Sequence, residues 1–275
     1  MDEALDPYRT TDSLEDALLD VMVSRLEVRG EHWFFQKVLR EYLDAMGIDS
    51  ARTVLDMGCG TGVAARTIAR RANFSGRVTG IDLSPYLVEA ARRLADEEGL
   101  GSLVEFRSGD TRDLDIPDSR FDAVVAHTLV SHLQEPLAVI EEAARVVKPG
   151  GLIAIFDGDY ASMTFAHPDP ALAELVEAKL RQVLVANPRI MRDMPRLLRE
   201  AELDLAESEG VLYADVGAGG FWPNTAETFG GVLERSGQIE PDVAADWRAF
   251  QRRAVEERTF FGASNYYTYL ARRPG

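Results

Sequence analysis

Apolar residues follow two rhythms along this chain. Between Ser13 and Gly47, Leu14, Leu18, Val21, Met22 and Leu26, then Phe34, Val38, Leu39, Tyr42 and Met46, recur at three- and four-residue intervals, the spacing that gathers side chains on one face of a helix. The pattern predicts two amphipathic helices that divide near Gly30. From Thr53 onward, short apolar runs at 53–57, 77–83, 103–107, 121–126 and 151–157 read as strands, separated by helical stretches at 64–72, 84–98 and 135–147. Ser84 suits a helix cap because its hydroxyl accepts from orphan N–H groups, and Pro85 suits the first helical turn. Strands alternating with helices predict a parallel, doubly wound α/β sheet.

The regularity breaks after Asp157. Residues 158–195 hold His167, four prolines and a helical stretch at 171–186, and read as a lid-like insertion after the fifth strand. A short helix at 195–202, a strand at 203–213, helices at 225–237 and 241–257 and a strand at 266–272 follow. The closing FFGASNYYTYLARRP reads as a sheet hairpin whose three tyrosines alternate between buried and exposed faces. The expected organisation is a helical cap over 1–50, a ligand-binding core over 51–157, the insertion over 158–202 and the remainder of the core over 203–275.

The segment Val54-Leu55-Asp56-Met57-Gly58-Cys59-Gly60-Thr61-Gly62 is a buried strand running into a glycine-rich turn and a helix. Side chains at Gly58, Gly60 and Gly62 would occupy space that a ligand near the backbone needs. Asp82 ends the second strand about 20 residues further on, where a carboxylate accepts the hydroxyls of a ribose. Gly60-Thr61-Gly62-Val63-Ala64-Ala65 also loosely fits a dinucleotide fingerprint, so an NAD(P) oxidoreductase is a competing reading. Asp56 speaks against it, because a carboxylate just before the turn repels a pyrophosphate and favours a cation. Purely structural work by a strand-end aspartate stays open beside this.

Charge and composition narrow the partners. With 46 acidic and 30 Lys or Arg residues the formal charge is -16, a surface that repels nucleic-acid backbones and anionic lipid head groups. One cysteine, Cys59, allows no intrachain disulfide. The acidic, polar start MDEALDPYRTTDSLEDALLD lacks signal-peptide character, and no apolar run reaches the length of a membrane span. A cytoplasmic protein with a small-molecule substrate, no nucleic acid and no membrane is the expectation, with a homodimer as an admissible assembly.

VLDMGCGTG at 54–62, GIDLSPYLVEAAR at 80–92, SGDTRDLDIPDSRFDAVVAHTLVSHL at 108–133 and ARVVKPGGLIAIFD at 144–157 resemble, in order and spacing, the successive motifs of class I S-adenosylmethionine-dependent methyltransferases of the small-molecule type. The resemblance covers about residues 52–157. It implies a Rossmann-like, seven-stranded sheet with the last strand antiparallel and S-adenosyl-L-methionine as cofactor. It further implies that Gly58, Gly60 and Gly62 pass under the cofactor, Asp56 sits near its amino group and Asp82 binds its ribose. Leu83 would pack on the adenine, Asp110 accept from the adenine amino group, Thr111 add a polar contact and His127 touch the methionine part through its backbone. Ordinary turn chemistry is the alternative for Asp110.

Methyl transfer needs a base only when the acceptor must lose a proton. His132, in AHTLVSHLQEP, is the sharper of two candidates, since an imidazole titrates near neutral pH; a histidine at the matching position serves as base in several O-methyltransferases of the family it resembles. Asp157 could orient that imidazole or hold a substrate hydroxyl, with Asp159 and Tyr160 nearby in sequence. Structural packing of His132 and solvated turn acids are the bland alternatives. Arg25 or Arg29 on the N-terminal helices could pair with the methionine carboxylate, against the commoner fate of a surface salt bridge. The stretch 156–165, Met191, Met194, Phe221 and Trp222 are candidate lining for an acceptor pocket, with core packing as the alternative. No His, Cys, Asp or Glu grouping at ligand spacing emerges, so metal-independent transfer is expected. Oxygen, nitrogen and carbon acceptors stay open, as does a regulatory protein that binds the cofactor without transfer.

Overall fold

A computed structural model describes residues 16–275; the first fifteen residues of the 1–50 cap, with Ser13 and Leu14 of the first expected helix, lie outside the described residues. The elements run α1 (Asp16–Glu31), α2 (Trp33–Ala45), β1 (Thr53–Met57), α3 (Val63–Ala69), β2 (Arg77–Asp82), α4 (Pro85–Glu97), β3 (Val104–Ser108), β4 (Phe121–His127), α5 (Pro136–Val146), β5 (Val147–Phe165), α6 (Pro170–Leu184), α7 (Ile190–Glu200), β6 (Asp204–Gly217), α8 (Trp222–Arg235), α9 (Pro241–Glu256) and β7 (Phe260–Arg272). The strands form one seven-stranded sheet in the order β3-β2-β1-β4-β5-β7-β6, mixed, with the last strand antiparallel. Its contacts divide into two compact units: Gly158–Met191 with Gly210–Tyr267, and 16–157 with Arg192–Glu209 and Thr268–Gly275. That grouping cuts across the sequence-based division at 202.

The larger unit is built on the parallel strands. β1 pairs in register with β2 from Thr53 opposite Arg77 to Met57 opposite Ile81, and on its other edge with β4 through Val54 opposite Ala123. Chain order therefore reverses direction at β1, which leaves a crevice beyond the carboxyl ends of β1, β2 and β4. Val54, Leu55 and Met57 are fully buried, as a strand covered on both faces requires. α2 follows the predicted periodicity and buries Phe34, Phe35, Val38, Leu39, Tyr42 and Leu43. Ser84 caps α4 as expected, its Oγ accepting from Leu87 N at 3.3 Å. A buried arginine ties three helices of this unit together: Arg66 on α3 makes hydrogen-bonded ion pairs to Glu98 just past α4 and, at 2.6 and 2.7 Å, to Glu27 on α1.

In the smaller unit, α8 packs on α6 and α9, and Phe165 meets Trp222 and Trp247 edge-on at 5.9 and 5.7 Å. The start of α8 is satisfied by Asp215, which accepts from Phe221 N and Trp222 N, each at 2.7 Å, and from the Tyr213 hydroxyl at 2.6 Å.

Three boundaries differ from the sequence reading. β5 extends from Val147 to Phe165 rather than over 151–157, because Asp157 and Asp159 are buried within it and break the apolar run that marks a strand. The closing segment is one strand, not a hairpin: Gly262 admits the Phe165 ring, which would lie 2.9 Å from an added Cβ, instead of turning the chain. Tyr266 and Tyr269 are both buried there and Tyr267 is half-buried, so the tyrosines do not alternate cleanly. α7 starts at Ile190 and carries Pro195 inside it, so reading the proline as a helix opener places the start one turn late.

Removing the Arg66 side chain leaves two carboxylates without their shared partner. Arg66→Ala is expected to lower the unfolding free energy by about 2–4 kcal/mol, less than for a fully buried pair because both glutamates are partly exposed; urea unfolding with an unchanged slope measures it.

Candidate functional site

The crevice beyond β1, β2 and β4 is a cavity of about 880 Å3, including its open mouth. Its floor is the turn between β1 and α3. Gly58 N and Cys59 N both donate to Ile81 O, at 2.8 and 3.0 Å, and Gly62 N donates to Cys59 O at 2.7 Å. Within this turn Gly58, Gly60 and Gly62 take positive φ angles of 67°, 52° and 79°, a region that side chains disfavour. An added Cβ at Gly58 would lie 2.5 Å from Leu129, and one at Gly62 would lie 2.6 Å from the Phe106 ring. The glycines are therefore demanded by backbone conformation and by the protein's own packing; the expected competition with a ligand for space is not what an added Cβ at these two positions meets.

Two carboxylates face this cavity, Asp56 buried and Asp82 half-buried. Asp82 accepts from Gly60 N at 2.8 Å through one oxygen and from Ser84 N at 2.9 Å through the other, so it welds the glycine turn to the start of α4. Burial raises its pKa against the opposing pull of those two bonds. Asp56, at the end of β1, accepts from Ala65 N at 3.0 Å through Oδ2 only. Burial above all, with a smaller push from the Asp82 charge, raises the Asp56 carboxyl to about 7. Its Oδ1 accepts no hydrogen bond from the described residues, and the Thr61 hydroxyl, also on the cavity wall, is buried without a partner. Polar groups left unsatisfied at a cavity wall fit a ligand that brings donors, a positively charged one above all.

The opposite wall comes from β4 and its following turn. His127 stacks on Phe156 at 4.9 Å and its Nδ1 lies 2.8 Å from the Tyr42 hydroxyl. Burial and the nearby Arg29 charge push the imidazole down to about 3, so it is neutral. Thr128 has a φ of +58°, strained for a β-branched residue, and its N–H donates to Phe156 O at 2.7 Å. The turn Val130–His132 follows, fixed by Asp157 Oδ2 accepting from Ser131 N at 2.9 Å.

Of the residues singled out from sequence, Asp56, Gly58, Gly60, Asp82, His127 and His132 line the cavity together. Gly62, Leu83, Asp110, Thr111, Arg25 and Asp157 do not. Leu83 is exposed to 44%, Thr111 is buried, and Asp110 is clasped by Arg112, whose guanidinium holds the Asp110 carboxyl below its ordinary pKa. Arg29 lines the cavity where Arg25 does not. Phe165 and Trp222 belong to the aromatic core of the smaller unit. Tyr42 escaped notice because its place on the buried stripe of α2 looks like any core position, and Thr128 because backbone strain leaves no mark in composition. Among the described residues, no group of three or more His, Cys, Asp or Glu could hold a metal ion and no helix is long and apolar enough to cross a membrane.

Residues 55–155 match a family described as a methyltransferase domain. The sterol 24-C-methyltransferase of Aspergillus fumigatus is 37% identical over 45% of this chain and 33% of its own length. The phosphatidylethanolamine N-methyltransferase of Cereibacter sphaeroides is 43% identical over 37% of this chain and 48% of its own. The chain thus spans less than half the length of these curated relatives. Among solved structures, a Bacillus halodurans protein aligns with a TM-score of 0.63 at 19% identity, covering 86% of this chain and 99% of its own. Geranyl diphosphate C-methyltransferase from Streptomyces coelicolor A3(2) aligns at 0.54 and 17%, covering 86% and 76%. At such identities these structures establish the fold alone.

The raised carboxyl of Asp56 has a measurable consequence. Its folded pKa of about 7 exceeds the ordinary 3.8, so the folded chain holds a proton that the unfolded chain releases, and this group's contribution falls as pH rises from about 4 to 7, then levels off. Asp56→Asn is expected to remove that decline and to gain up to about 4 kcal/mol over the parent at pH 8 without ligand; thermal and urea unfolding across pH 5–8 check it.

Proposed function

We propose, from the premise that residues 55–155 are a class I S-adenosylmethionine-dependent methyltransferase domain, that this protein binds S-adenosyl-L-methionine in the cavity over the glycine turn and moves a methyl group to an oxygen, nitrogen or carbon of a small molecule. The observation that carries the reading is Asp56, a buried carboxylate with one oxygen left without a protein donor on the wall of the cavity. A cation satisfies it, and a pyrophosphate does not. S-adenosylmethionine, when bound, supplies an activated methyl on a positively charged sulfur that is already a good leaving group.

The chain's own residues then hold, orient and dry the site. Asp82 has lone pairs to spare beyond its two backbone bonds and accepts ribose hydroxyls. Asp56 accepts from the ammonium group. Leu26, Phe35, Leu39, Leu87 and Leu129 form apolar walls that exclude water and strengthen these polar contacts. His132 faces the same cavity and takes the proton from an acceptor that must lose one. Asp157 acts on it at one remove, through the Ser131 amide that sets the turn.

Calorimetric titration with S-adenosylmethionine, S-adenosylhomocysteine and NADH tests the cofactor. Binding of the two sulfur compounds and not NADH is expected, weakened about 30-fold or more in Asp82→Ala by the lost charged hydrogen bonds; NADH binding alone would overturn the reading. For the base, His132→Ala is expected to lower kcat by about 100-fold or more with a hydroxyl or amine acceptor, and an unchanged rate from pH 6 to 8 would remove His132 from the chemistry.

A further inference from the structure

The bond between Tyr42 and His127 has no part in the scheme above, yet both groups are fixed with unusual completeness. Tyr42 is buried on α2 and its hydroxyl finds one hydrogen-bond partner among the described residues, His127 Nδ1 at 2.8 Å. A phenol that accepted from Nδ1–H would leave its own proton buried without an acceptor, so the hydroxyl must donate and Nδ1 must accept. Asp56 stands close enough to oppose ionisation of the phenol, which burial has already made difficult, so the proton stays on oxygen. A neutral imidazole that accepts at Nδ1 carries its hydrogen on Nε2. His127 lines the cavity, and Nε2 is neither bonded to a described residue nor among the buried atoms without a partner, so this N–H faces the cavity. Arg29, whose charge acts on His127, lines the same cavity, which places a cation beside the neutral donor.

We propose that Tyr42 is a positioning residue that holds His127 in the Nε2–H tautomer, so that the imidazole presents a hydrogen-bond donor, and never a base, to an anionic oxygen of the bound ligand. On the cofactor reading above, on which only the identity of the ligand rests, that oxygen belongs to the carboxylate of the amino-acid end. The assignment separates the two histidines of this wall: His127 binds, and His132 alone is placed to take a proton.

Long-range 1H–15N correlation spectra of protein labelled in its four histidines read the tautomer directly, with His127 identified by the signal missing from His127→Gln. The expected wild-type pattern at pH 7 is a protonated Nε2 and a bare Nδ1, giving way to a mixture in Tyr42→Phe. An Nδ1–H tautomer or an imidazolium in the wild type, or an unaltered pattern in Tyr42→Phe, overturns the proposal. In titrations with S-adenosylhomocysteine, His127→Gln, whose amide reaches the Nε2 position, is expected to bind within about threefold of wild type, while His127→Asn, which reaches only the Nδ1 position, loses about tenfold or more. Equal losses in the two variants also count against it. Failure of the wild type to bind the compound would instead strike the cofactor reading, and the spectra would still decide the tautomer.

Discussion

The site depends on carboxylates used as structural acceptors before any ligand arrives. Asp82 joins the amide of Gly60 to the amide of Ser84, and Asp56 takes the amide of Ala65. The Gly60 amide lies in a turn and those of Ser84 and Ala65 at the starts of α4 and α3, where no ladder or helix bond takes them, and burying them unpaired would be costly. The two side chains remove that cost and, in doing so, concentrate negative charge where the sheet changes direction. Scaffold and binding chemistry are therefore the same atoms.

This coupling explains why the cavity is one-sided. The β1 and β2 wall is acidic, the β4 wall offers a neutral histidine, α1 adds Arg29, and leucines with Phe35 fill the gaps between them. A zwitterionic end and a polyhydroxylated ring find complementary partners in such a space, whereas a uniformly anionic ligand meets Asp56. Strain at Thr128 and the Asp157 bond to Ser131 fix where the β4 turn delivers His132.

Much of this was legible in the residues. Short apolar runs located the five parallel strands and a 3.6-residue period the helices between them, most plainly at β1 and β4, which are buried on both faces. Asp56 and Asp82 stood out because a carboxylate in an apolar run is unexpected. Legibility failed where packing overrode local signals. The closing segment read as a hairpin and is one strand, close-packed at Gly262, and Pro195 read as a helix start and lies inside α7. Tyr42 is polar at one atom and apolar elsewhere, so its role follows only from the 85 residues of chain that fold to bring His127 against it. The residues after Asp157 carried little chemistry that sequence alone could resolve, since their aromatic positions serve a core.

The acidity of the β1 and β2 wall bears on turnover. On the proposed reading, the sulfur arrives positively charged and leaves neutral, so the attraction exerted by Asp56 and Asp82 weakens at the moment the methyl group departs. Charge at one atom is then what such a wall has to tell the spent cofactor from a fresh one of nearly the same shape.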